Sequence, residues 1–84
     1  MKAIIDNVLE FKTIDDLDYK EYYEKISKVI PGVKKSNIDG RFCIEIDSVE
    51  IDDLKKIYKA TGEQLVIDFT KDTINITLYD DYME

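Results

Sequence analysis

Four carboxylates crowd into residues 15–21: Asp15, Asp16, Asp18 and Glu21. Oxygen ligands at this density are the chemistry of a Mg²⁺ or Ca²⁺ site. The run lacks the glycine and the twelfth-position glutamate of an EF-hand loop, however, and no second acidic cluster is spaced to complete a coordination shell. A nuclease-like set made of Asp39 with Asp53-Leu54-Lys55 fails for another reason: on a helix the acid and the base of a D-x-K diverge. The chain contains no histidine, which removes the commonest general base. Cys43 has Arg41 as its single basic neighbour in sequence and lies in an apolar run, so it reads as a packing residue and not a thiolate nucleophile. Three scattered glycines make no phosphate-cradling loop. The residue types therefore predict no enzyme, no metal site and no cofactor.

The acidic stretch contains the tetrapeptide IDDL, which recurs at residues 51–54. Asp18 and Glu21 have the spacing of a capping box, with Leu17 and Tyr22 as its hydrophobic staple; Asp47 and Glu50, with Ile46 and Ile51, repeat that grammar. The first IDDL then precedes a helix and the second lies inside one, so the repeat is not a duplicated site. Carboxylates in a first helical turn are favoured by the helix dipole, by about 0.3–1 kcal/mol at exposed positions.

The elements that must carry these residues follow from periodicity. Residues 2–12 fit either a helical stripe or two short strands about Asp6-Asn7, and the absence of a loop before Thr13 favours strand. A helix from Asp18 to about Ile30 places Tyr19, Tyr22, Tyr23, Ile26, Val29 and Ile30 on one arc and ends at Pro31-Gly32. Asp39-Gly40 is a two-residue turn between a strand at residues 33–38 and the alternating run Arg41–Asp47. A second helix buries Ile51, Leu54, Ile57 and Tyr58 and stops at Gly62. Leu65, Ile67, Phe69 and then Ile74, Ile76, Leu78 alternate as a closing hairpin. The expected fold is one α+β domain over residues 1–84, with 79–84 as a short acidic tail. Its order is (β)αββαββ: a small antiparallel sheet of four or five strands with two helices on one face.

Charge narrows the partner. Nineteen acids against twelve bases give −7, but residues 25–41 hold five bases against one acid, so the excess belongs to the two ends. Such a balance argues against non-specific binding to nucleic acid through phosphate neutralisation and favours basic proteins. No apolar run approaches the roughly 18–20 residues of a membrane span, the start has no signal-peptide pattern, and one cysteine fits a reducing cytoplasm. Eleven lysines to one arginine and thirteen isoleucines point to an AT-rich coding sequence, as in low-GC bacteria, their phages and some archaea.

Two stretches bear a resemblance to known inhibitor families. KAIIDNVLEFKTIDDL, residues 2–17, resembles with a one-residue gap the opening of barstar-type ribonuclease inhibitors, over a fifth of the chain. The Tyr-Tyr-Gly and tryptophan features of their binding region have no counterpart here, and the later element order differs. TGEQLVI, residues 61–67, resembles a helix-to-strand junction of the phage uracil-DNA glycosylase inhibitors. No functional residue carries over from either. What the two resemblances imply is a type: a small acidic domain that blocks a basic nucleic-acid enzyme. The sequence thus predicts an inhibitor or immunity-type protein, phage- or mobile-element-encoded, of which anti-CRISPR and anti-restriction proteins are examples. Its expected contacts are Asp15, Asp16, Asp18, Glu21, Glu45 and the tail residues Asp80, Asp81 and Tyr82. The alternative is a non-catalytic structural or oligomerising module.

Overall fold

A computed structural model describes residues 1–7, 11 and 13–79. Five strands and two helices follow in the order β1 (Lys2–Ile5), α1 (Leu17–Ser27), β2 (Val33–Ile38), β3 (Arg41–Ile46), α2 (Ile51–Thr61), β4 (Gln64–Phe69) and β5 (Thr73–Tyr79). The N-terminal ambiguity resolves in favour of strand for residues 2–5, while residues 8–10 and 12 lie outside the described residues, as do 80–84 of the expected tail.

The sheet order is β2-β3-β1-β5-β4. It differs from the expected all-antiparallel sheet in one pairing: β1 and β5 run parallel, with Ala3 opposite Ile74 and Ile5 opposite Ile76. The cause is where the connections go. Helix α2 carries the chain from β3 across to the far edge, and the β4–β5 hairpin then folds back so that β5 fills the place beside β1. All other pairings are antiparallel.

Register assigns the two faces. Ala3 pairs with Ile46, Ile5 with Ile44, Leu65 with Leu78 and Ile67 with Ile76, so these side chains share one face. That face meets the helices: Tyr19, Ile26 and Ile30 from the α1 region and Ile57 from α2 join Ile5, Ile44, Ile46, Ile74, Ile76 and Leu78 in the core. Tyr19 is the largest wholly buried side chain among the described residues. Its ring stacks on Phe11 at 4.9 Å between centroids, and its hydroxyl donates to the Cys43 carbonyl at 2.7 Å. The turn at Asp39 (φ 52°) and Gly40 (φ 82°) is left-handed at both positions, the geometry that a two-residue hairpin between right-twisted strands requires.

Both helices start elsewhere than the capping spacing predicted. The N-cap of α1 is Asp16, whose carboxylate accepts from the Asp18 N–H at 3.0 Å; Asp18 itself is inside the first turn. A turn closed by Asp16 N–H to Thr13 C=O, 3.1 Å, already aims the chain at that position. Helix α2 starts at Ile51 behind Glu50, whose N–H donates to the Asp53 carboxylate at 2.8 Å. Residues 47–50 stay out of the helix because the Val49 N–H is bonded to the Met1 carbonyl at 2.8 Å and Val49 is buried. Val49 and Leu54, both against the core, therefore have the staple spacing. The expected staple members Leu17 and Ile51 are instead 78% and 72% exposed. Val29 and Tyr58 also leave the predicted core stripes for the surface, and the buried positions of α2 are Ile57 and Thr61.

Candidate interaction surface

The predicted carboxylates divide between two sides of the molecule. Asp15, Asp16, Asp18 and Glu21 cluster at the start of α1, over the covered face of the sheet. Glu45 pairs in register with Ile4 on the opposite, open face, so the structure does not bring it to the cluster. Asp80, Asp81 and Tyr82 lie outside the described residues.

Lysines interleave with the acids along α1. Asp15 lies 3.6 Å from Lys20, Glu21 2.7 Å from Lys25 and Glu24 3.5 Å from Lys28. These are exposed contacts, and exposed ion pairs contribute about 0–1 kcal/mol each. Their effect is on the field: they reduce the negative charge that α1 presents to a partner. Asp16 is engaged in the helix cap, whereas Asp18 is exposed and has no ion pair among the described residues. Beside these acids stand two exposed apolar side chains, Ile14 and Leu17. The patch is thus mixed, an apolar pair set among carboxylates. Sequence patterning missed this because it gave Leu17 to a staple.

The open face is ionic on one half. Lys2 pairs with Glu45, Lys34 with Asp47 at 2.9 Å, and Arg41 with Asp6 at 2.9 Å. The hydrogen bond from Lys2 holds the Glu45 carboxyl below the usual carboxylate range, against the opposing effect of its partial burial. The bond from Lys34 likewise lowers Asp47. The other half, on β4 and β5, carries Gln64, Val66, Asp68, Thr73, Asn75, Thr77 and Tyr79.

Cys43 is fully buried, its Sγ 3.5 Å from the Arg41 carbonyl, and burial pushes its thiol pKa up. A protonated, inaccessible thiol is the reverse of an activated nucleophile. Asp53 and Lys55 lie in α2, where Asp53 is used by the helix start and by Lys56 at 3.9 Å. Among the described residues, no group of three or more Cys, Asp or Glu side chains is placed to hold a metal ion. No helix among them is long and apolar enough to cross a membrane.

Two further features escaped the sequence reading. Asn7, read as a turn residue, is buried, and its amide spans to β5: Nδ2 donates to the Leu78 carbonyl at 2.9 Å, and Oδ1 accepts from the Leu78 N–H at 3.0 Å. One side chain thereby takes the place of a further ladder residue beyond the end of β1. The other is Phe69, which ends the alternation of β4 but is 76% exposed, because β4 is the edge of the sheet. The alternation gave its face correctly and could not give its position across the sheet.

No protein-family model, curated protein or solved structure matches this chain.

Proposed function

We propose that this protein acts by binding another protein, and that its target is a basic nucleic-acid-handling enzyme whose nucleic-acid site it occupies as an inhibitor or immunity-type protein. The observation that carries this reading is the start of α1, where exposed Leu17 and Ile14 stand among Asp15, Asp18 and Glu21 on a chain of net charge −7. Apolar side chains supply the area a stable contact buries, and surrounding carboxylates steer it to a basic surface. The charge interleaving along α1 argues against a continuous imitation of a phosphate backbone, so the contact is a compact patch.

The test is affinity capture from a source or host lysate with identification of the retained protein, followed by titration in salt. The expected partner is a basic nucleic-acid-processing protein, bound more weakly as salt rises from about 50 to about 500 mM. Replacing Leu17→Ser together with Asp18→Lys should weaken that binding at least tenfold. A target of another kind, or affinity indifferent to salt, refutes the reading.

One observation favours the second reading, a structural or oligomerising module: β4 offers an open sheet edge with an exposed phenylalanine.

A further inference from the structure

The two edges of the sheet are treated differently. On β2, Lys34 and Lys35 occupy adjacent positions, the Tyr23 hydroxyl donates to the Val33 carbonyl at 3.3 Å, and the Lys35 ammonium lies 4.8 Å from the centre of the Tyr23 ring. Lysines and a side chain bonded to the backbone are devices that keep an edge from pairing. On β4 the sequence is QLVIDF, with no lysine, no proline and no bulge in its continuous six-residue register against β5.

Hydrogen-bond phase identifies what that edge offers. Thr70 N–H donates to the Thr73 carbonyl at 2.8 Å, so residues 70 and 73 face each other. Counting back along the register, Asp68, Val66 and Gln64 also turn their backbone groups toward β5, and Leu65, Ile67 and Phe69 turn theirs outward. The far side of β5 agrees. Leu78, opposite Leu65, gives its N–H and C=O to Asn7, and Ile76, opposite Ile67, accepts from the Asp6 N–H at 3.1 Å. Three N–H and three C=O groups of β4 therefore point away from the sheet, and nothing among the described residues pairs with them.

We propose that this edge pairs with β4 of a second copy of the chain, antiparallel about a two-fold axis through Ile67, joining two five-stranded sheets into one of ten. The inference deepens the second reading above and is independent of the acidic patch. Its support is self-complementarity. With Ile67 opposite the partner's Ile67, Leu65 falls opposite the partner's Phe69 and Phe69 opposite the partner's Leu65. All three outward residues on each strand then exchange both backbone bonds. The same register sets the exposed Phe69 ring beside a leucine on the face shared with the helices, and sets Asp68 opposite the partner's Val66, so no like charges meet. A two-fold contact of this kind closes and does not propagate.

Sedimentation of the full chain from about 1 µM to about 1 mM spans the range in which micromolar to millimolar association is read. The expected species is a dimer of twice 9.8 kDa. Each copy carries −7, so screening should tighten the dimer several-fold as salt rises, opposite in sign to the binding of a basic enzyme. Phe69→Lys should weaken it at least tenfold. Phe69→Pro, which removes an outward N–H and leaves the β4–β5 bonds in place, should do the same, with far-ultraviolet circular dichroism unchanged in both. An Ile67→Cys variant should form an intermolecular disulfide on oxidation, since facing residues in a bonded pair lie about 5.5 Å apart at Cα, within disulfide range. Val66→Cys, offset by two residues from its copy, should not. A monomer throughout the range overturns the proposal. So does a dimer insensitive to both Phe69 substitutions, or cross-linking through position 66 in preference to 67. Loss of salt-weakened enzyme binding with the dimer intact refutes only the inhibitor reading.

Discussion

Asn7 offers the sharpest test of how this fold is held. In Asn7→Ala the buried Leu78 N–H and C=O each lose a partner that now sits at 3.0 and 2.9 Å. An orphaned buried polar group costs about 1–3 kcal/mol, so the pair costs about 2–6 kcal/mol. A domain of this size is stable by about 4–13 kcal/mol at the usual 0.05–0.15 kcal/mol per residue. One side chain therefore controls a large share of the total, and a midpoint fall of about 8–48 °C follows from about 4–8 °C per kcal/mol. The companion substitution Asn7→Asp keeps the shape and the acceptor but turns the donor into a second acceptor facing the Leu78 carbonyl. Burial and that carbonyl disfavour the ionised form, which raises the folded pKa of the new carboxyl above its unfolded value of about 3.9. The folded state then binds the proton more tightly than the unfolded state. Relative to Asn7, the aspartate should be least harmful below about pH 4, with stability falling as pH rises through the raised folded pKa. Urea unfolding followed by circular dichroism at pH 4 and pH 7 reads both effects, with an unchanged slope as the check on two-state behaviour. If Asn7→Ala unfolds within about 0.5 kcal/mol of the parent, the spanning amide is not a structural bond and the reasoning fails.

Two further predictions concern the covered and open faces of the sheet. Tyr19→Phe removes the hydroxyl that donates to the Cys43 carbonyl and leaves the ring stacked on Phe11; a loss of about 1 kcal/mol, read as a midpoint lowered by about 4–8 °C, is expected, and an unchanged midpoint refutes the bond. On the open face, Lys2 depresses the folded pKa of Glu45, so the stability this pair contributes is present above the unfolded glutamate value of about 4.3 and is lost as pH falls through the lower folded value. Because Lys2 is nearly half exposed, screening limits the contribution to below about 1 kcal/mol; Glu45→Gln should lower stability at neutral pH by no more than that, converge with the parent at low pH, and so flatten the acid limb of the stability profile slightly.

The strands and helices were legible because each carries its own period. Arg41–Ile46 and Thr73–Tyr79 alternate, Tyr19, Ile26 and Ile30 repeat at helical spacing, and the turns at Asp39-Gly40 and Gly62 use residues suited to positive φ. The helix starts were legible only in kind. Several Asp and Glu positions satisfy capping spacing, and the choice between them fell to contacts outside the capping pattern: the distant Met1 carbonyl that holds Val49 extended, and the turn at Thr13 that aims Asp16. The candidate site shared this limit. The sequence located the acids and their excess over bases, because charge is a property of residue type. It could not separate Glu45 from the α1 cluster or pair Asp15 with Lys20, since those depend on which face of the sheet the helices cover.

By itself, then, the sequence determined the element order, the apolar faces, the two tight turns, the absence of histidine and the negative balance. All of these are written in residue types and in spacings within single helices, strands or turns. Tertiary structure decided that β5 lies parallel to β1, that Asn7 reaches across to Leu78, and that β2 and β4 form the edges. Sheet order arises from how separate segments pack over one core, and alternation constrains a strand's faces without specifying its neighbours. The exposure of Phe69, and with it the open edge of β4, belongs wholly to that second kind of information.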